Sequence, residues 1–208
     1  MNVIRAHKYS LDHLDMANDR FTANGRLTVT PEDAAANSSL TCFSQPAGEN
    51  HYRLLAHLSY SLPGRTLLDI GTYQGMSALA LAASKESTVV SYDIVNELTR
   101  NFSDLDNLDF VIGDILRAGQ QHQDRLRDAA LVFFDISPHS GADEYVFYRH
   151  LVDVGFGGIA LFDDIYLNPG MRDFWTIVCH PKSDLTSVGH NTGTGAVFFG
   201  EDRIEVAP

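Results

Sequence analysis

The sequence predicts an α/β fold, a doubly wound and mostly parallel sheet with a small N-terminal cap. Three observations carry that expectation. Five short apolar runs alternate with helical patterns from residue 50 onward. The intervening segments are long enough for right-handed crossovers, which place helices on both faces of a parallel sheet. Nearly every run ends in aspartate, and in such sheets ligands collect beyond the carboxyl ends of the strands.

The elements follow in order. Residues 1–49 carry turn and loop material around short elements, with TANGRLTVTPEDAAANSS as the clearest stretch, and read as a cap or dimer arm. In NHYRLLAHLSY (50–60), Leu54, Leu55 and Leu58 form one helical stripe that Pro63-Gly64 ends. TLLDI (66–70) is the first strand, MSALALAA (76–83) a helix, TVVSYDI (88–94) the second strand and LDFVIG (108–113) the third. A polar helix over 119–128 precedes ALVFFDI (130–136), the strongest strand signal in the chain. ADEYVFYRHLVDV (142–154) repeats apolar residues at Phe147, Leu151 and Val154, which marks an amphipathic helix. GGIALFDDI (157–165) is the fifth strand, 171–179 a helix, and 184–200 two strands joined by a Gly/Asn/Thr turn.

Composition bounds the function. With 208 residues, the chain suits one domain with a cap over 1–49 and a catalytic unit over 50–208. Fifteen Lys and Arg against 27 Asp and Glu give a net charge of −12. That charge opposes binding to nucleic acid or to anionic membranes and suits small-molecule chemistry with a bound cation. Cys42 and Cys179 are too few for a disulfide framework, and with no signal-peptide core at the N-terminus a cytoplasmic location is expected. The polar N-terminal arm makes a homodimer an expectation.

The first chemical signal is LLDIGTYQGMS (67–77), a strand ending in Asp69 and a turn framed by Gly71 and Gly75. Glycine lets a backbone pass close to a ligand without a Cβ in the way. The pattern is not the dinucleotide GxGxxG, which argues against a nicotinamide oxidoreductase. Asp69 would repel a pyrophosphate but suits an amino group. Asp93, at the second strand's end, can accept from both hydroxyls of a ribose, and Asp114 can accept from an adenine amino group. The second signal is Asp135 after ALVFF with Asp163 and Asp164 after IALF. On adjacent strands these three carboxylates share one crevice, and a hard cation such as Mg²⁺ or Ca²⁺ would neutralise them. Without a metal, Asp135 would orient the substrate and the Asp163-Asp164 pair would cap the next element. His139, in the SPHSG loop, is the candidate base, and His190 can face the same crevice from the terminal hairpin.

These residues resemble a class I S-adenosylmethionine-dependent methyltransferase: the DxGxxxG turn, the acidic second-strand end and the third-strand Gly-Asp. The likeness spans about residues 50–200. It implies a seven-stranded Rossmann-like sheet with an antiparallel last strand. It also implies that Gly71 to Gly75 pass the methionine moiety while Asp93 and Asp114 hold ribose and adenine. The chain is most similar to metal-dependent O-methyltransferases of the catechol, caffeoyl-CoA and macrocin types. By that resemblance Tyr73 and Ser77 touch the cofactor, and Asp135, Asp163 and Asp164 hold the metal. Where the catechol enzymes carry Asp-Asn, this chain has Asp-Asp, and Pro138 stands where they place a lysine. The implied acceptor is a small-molecule hydroxyl of a sugar, natural product or vicinal diol. A metal-free methyltransferase and a non-catalytic S-adenosylmethionine-binding protein are the alternatives.

Overall fold

A computed structural model describes residues 2–6, 46–98, 102 and 105–206. Most of the expected cap, with His13, Asp15 and Cys42, lies outside the described residues. The chain enters as strand β1 (Val3–Ala6) and resumes as helix α1 (Pro46–Ser61). The alternation then runs β2 (Thr66–Ile70), α2 (Met76–Leu81), β3 (Thr88–Asp93), β4 (Leu108–Ile112), α3 (Gln120–Asp128), β5 (Leu131–Phe134), α4 (Ala142–Asp153), β6 (Ile159–Asp163) and α5 (Pro169–Ile177). Strands β7 (Lys182–Asp184), β8 (Thr194–Phe198) and β9 (Arg203–Val206) close the chain.

Seven strands form the main sheet in the order β4-β3-β2-β5-β6-β8-β7. The first five are parallel, while β8 runs antiparallel to both β6 and β7. The order reverses between β2 and β5, so a crevice opens there at the carboxyl edge. The expected terminal strand pair is present, with β7 only three residues long and starting earlier than the pattern suggested. A separate two-stranded sheet was not expected: β1 pairs in parallel with β9, with Ile4 opposite Ile204 and both buried. Four-residue runs alternating with Arg and Glu are too short to announce themselves as strands.

The strands bury both faces because alternate side chains point to opposite sides. Leu67, Phe133 and Leu161 pack on one face with Leu54, Leu55 and Leu58 of α1 and the small residues of α2. Leu68, Phe134 and Phe162 pack on the other with Leu126 of α3, Phe147 and Leu151 of α4 and Phe174 of α5. The same parity carries past the strand ends. Asp69, Asp135 and Asp163 each stand two residues beyond a side chain of the α1 face, so they belong to that face too.

The turn after β2 is pressed against the end of β5. Gly71 has φ +103°, and a Cβ there would lie 1.7 Å from the Asp135 carbonyl oxygen. Its missing side chain is therefore required by packing between two strand ends. We expect Gly71→Ala to lower the unfolding free energy by ~3 kcal/mol or more in urea denaturation. Gly157→Ala, where a Cβ meets nothing within 4 Å, should stay within ~0.5 kcal/mol of the parent.

Candidate active site

A cleft of about 740 Å³ opens at the carboxyl edge, bounded by the ends of β2, β3, β4 and β5 and by α4. Gly71, Tyr73, Asp93, Asp114, Asp135 and His139 line it, with Ile94, Val95, Ile115 and Val146 as apolar wall. Asp69, Gly75 and Ser77 are not among its lining residues. Gly75 has φ +89° at the start of α2, and its Cβ would meet the Phe102 ring and Leu98. At both glycines the space a Cβ would take is filled by protein atoms, so packing within the chain also requires them.

Asp93 holds the turn together: its Oδ2 accepts from the Tyr73 N–H at 2.9 Å and its Oδ1 from the Val95 N–H at 3.2 Å. A carboxylate has about four acceptor positions, so room remains for further donors from the cleft. Asp114 caps the short 3₁₀ turn Ile115–Arg117, accepting from the Leu116 N–H at 2.9 Å, with Arg117 3.3 Å away. Asp69 is fully buried; Ser91 donates to its Oδ2 at 2.6 Å and Thr72 in turn bonds Ser91 at 2.5 Å. Its Oδ1 is buried with no hydrogen-bond partner. Burial pushes its pKa up to about 7, against the pull of Ser91 and Ser77.

Beside the cleft, the three carboxylates meet three histidines. Asp163 Oδ1 lies 3.6 Å from His51 Nδ1 and its Oδ2 lies 3.3 Å from His190 Nδ1. Asp164 Oδ1 is 3.2 Å from His190 Nδ1 and also accepts from Thr192, while its Oδ2 is 3.5 Å from His139 Nε2. His139 Nε2 is 3.7 Å from Asp135 Oδ1. Burial and the charges of Asp163 and Asp164 raise Asp135 well above the usual carboxylate range. Hydrogen bonds that the His190 ring donates to Asp163 and Asp164 raise its pKa to about 10, whereas burial lowers His51. Burial alone would raise Asp164, but its bonds to His190 and Thr192 outweigh that and hold it low.

Sequence reasoning gathered Asp135, Asp163, Asp164, His139 and His190 in one crevice, and the structure brings these five together. It missed His51. The signal was available: residues 51, 54, 55 and 58 keep helical spacing, so His51 is a polar residue on the buried stripe of α1. Trp175 packs into the core against Gly195 and under Lys182. Tyr166 is exposed and donates to Asp184 at 2.8 Å. His180 Nδ1 bonds the Tyr148 hydroxyl at 2.7 Å, and the exposed Cys179 thiol donates to the Ile177 carbonyl at 3.2 Å.

The sheet order, with β8 reversed between β6 and β7, gives this chain the Rossmann-like fold of S-adenosylmethionine-dependent methyltransferases. Its overall shape is similar to the O-methyltransferase TomG from Streptomyces achromogenes, involved in tomaymycin synthesis and solved with SAM. That match has a TM-score of 0.56 at 15% identity and covers 92% of this chain and 99% of that one. The SAH-bound methyltransferase PaMTH1 from Podospora anserina matches at TM-score 0.56 and 14% identity, covering 90% and 97%. The Bacillus cereus O-methyltransferase in complex with SAH matches at TM-score 0.54 and 15% identity, covering 88% and 97%. No protein-family model and no curated protein matches the sequence.

The raised Asp69 pKa has a thermodynamic sign. An acid whose folded pKa lies above its ordinary 3.8 holds its proton longer when folded, so stability falls as pH rises from about 4 to about 7. We expect urea denaturation to show that decline, at up to about 1.4 kcal/mol per pH unit from this group. In Asp69→Asn the decline should be shallower by that amount.

Proposed function

We propose that this protein is an S-adenosylmethionine-dependent O-methyltransferase acting on a small-molecule hydroxyl. One observation carries the reading: the nucleoside-sized cleft and the carboxylate–histidine cluster adjoin and share Asp135 and His139. The apolar wall of Ile94, Val95, Ile115 and Val146 suits the flat faces of an adenine, and Asp93 offers acceptors for a ribose diol. Asp114 stands at the same wall, near where an adenine amino group would sit. Gly71 and Tyr73 border the methionine end, and Asp69, Gly75 and Ser77 support that turn from behind. The O-methyltransferases that share the fold support the choice of reaction. The cofactor, when bound, supplies an electrophilic sulfonium methyl.

The chain's own residues would orient the acceptor and take its proton. His139 Nε2, placed between Asp135 Oδ1 and Asp164 Oδ2, is the proton acceptor at the cleft mouth. Asp135 and Asp164 hold its ring and stabilise the imidazolium that forms. Holding acceptor oxygen and methyl donor at near-attack distance supplies much of the rate, on the order of 7 to 11 kcal/mol in well-oriented systems. A Mg²⁺ or Ca²⁺ ion on Asp135, Asp163 and Asp164 alone would need those oxygens free of imidazoles, and each of the three faces one. The residues present therefore fit an all-oxygen cation poorly. The acceptor class, by the same resemblance, is a sugar, natural product or other vicinal diol.

Calorimetric titration with SAH and NADH tests the cofactor half: SAH should bind and NADH should not. Asp93→Ala should weaken SAH by about 10- to 100-fold, the scale of lost hydrogen bonds to a charged group. For the chemical half, methyl transfer from labelled S-adenosylmethionine to vicinal diols should fall by about 100- to 10,000-fold in His139→Asn. Asparagine tolerates the φ of +54° at this position, so the backbone is preserved. Absence of SAH binding by the parent protein would end the reading.

A further inference from the structure

The buried half of the cluster is not used by that reaction. His51 comes from α1, Asp163 from the end of β6 and His190 from the loop between β7 and β8. One ligand atom from each lies within 4.8 Å of the others. His51 and Asp163 are 5% and 4% exposed. His51 Nδ1 and Asp163 Oδ1 are both buried without a hydrogen-bond partner, and they face one another across 3.6 Å. Two buried polar atoms that face each other too far apart to bond are costly in an apolar setting, and here the rings of Phe133 and Tyr52 pack on His51. A small cation between them would satisfy both.

We infer that His51, Asp163 and His190 form a binding site for a zinc-class divalent ion. Two imidazoles and one carboxylate are the donor set that zinc and its first-row neighbours accept, whereas magnesium and calcium prefer oxygen alone. Three protein ligands leave coordination positions open, and His190, a quarter exposed, marks the side from which they are reached. Asp164 and Thr192 both lie at His190 Nδ1 and hold the ring in place beside Asp163. The site shares the crevice with the proposed reaction but does not depend on methyl transfer, so the two can fail separately.

The test uses Co²⁺ as a visible probe on chelator-treated full-length protein, with SAH titrated into the same samples. One equivalent of Co²⁺ should bind with ligand-field absorption in the visible, Zn²⁺ should displace it, and millimolar Mg²⁺ should not. His51→Ala and His190→Ala should each weaken Co²⁺ by more than the roughly 10- to 100-fold loss typical of outer partners, a loss expected of Thr192→Val. His190 is the more exposed of the two, so its variant keeps the test valid if His51→Ala does not fold. Absence of cobalt absorption, Mg²⁺ binding as tight as Zn²⁺, or Co²⁺ affinity unchanged in His190→Ala would overturn the inference. SAH binding that persists through such a result would leave the proposed reaction standing.

Discussion

The fold gathers more buried negative charge at one edge than water can reach to screen. Asp69, Asp135, Asp163 and Asp164 stand at the carboxyl ends of three neighbouring strands, and Asp69, Asp163 and Asp164 are buried. Charge in such a place is tolerated only when protonated, paired or hydrogen-bonded. The protein uses all three remedies. Asp69 lies on a Ser91–Thr72 chain and tends toward its neutral form, Asp164 sits on Thr192 and two histidines, and Asp163 divides its oxygens between His51 and His190. Histidines are drawn from a helix, a short loop and a hairpin turn to meet this one demand.

Backbone strain follows the same geography. Among the described residues, Tyr73, His139 and Asp164 are the non-glycine positions with positive φ. Each lies at the cleft or the cluster, and such conformations cost on the order of 1–3 kcal/mol apiece. The surroundings hold them in place: Tyr73 through its N–H on Asp93, His139 through its carbonyl on Asn168, and Asp164 through its carbonyl on the Leu167 N–H. Strain is thus placed where side chains must be aimed, and the core strands are spared it.

Most of the sheet was legible in the sequence because its strands are buried on both faces. Runs such as VVSY, LVFF and IALF are apolar almost throughout, and their lengths separate them from helices. The antiparallel end came through resemblance, and the β1–β9 ladder escaped because its residues are few and half of them charged. In the site, the aspartates were legible because each closes a strand, so topology alone brings them together. His51 was not read, since its place depends on which helix face meets which strand end. The glycines of the β2 turn were legible as a tight turn, but their neighbours turned out to be the Asp135 carbonyl and Phe102.

Strand β8 lies inside the sheet although it comes late in the chain, and β7, made just before it, hydrogen-bonds to β8 alone. During synthesis β7 therefore has no ladder to join until β8 has emerged and paired with β6. The loop carrying His190 is stretched between those two strands and tied to the exit of β6 through Ile165 and Tyr166. His51 and Asp163 wait on elements that are complete earlier. The hairpin that completes the seven-stranded sheet is thus the one that closes the cluster, and an intact triad reports that this sheet has been assembled.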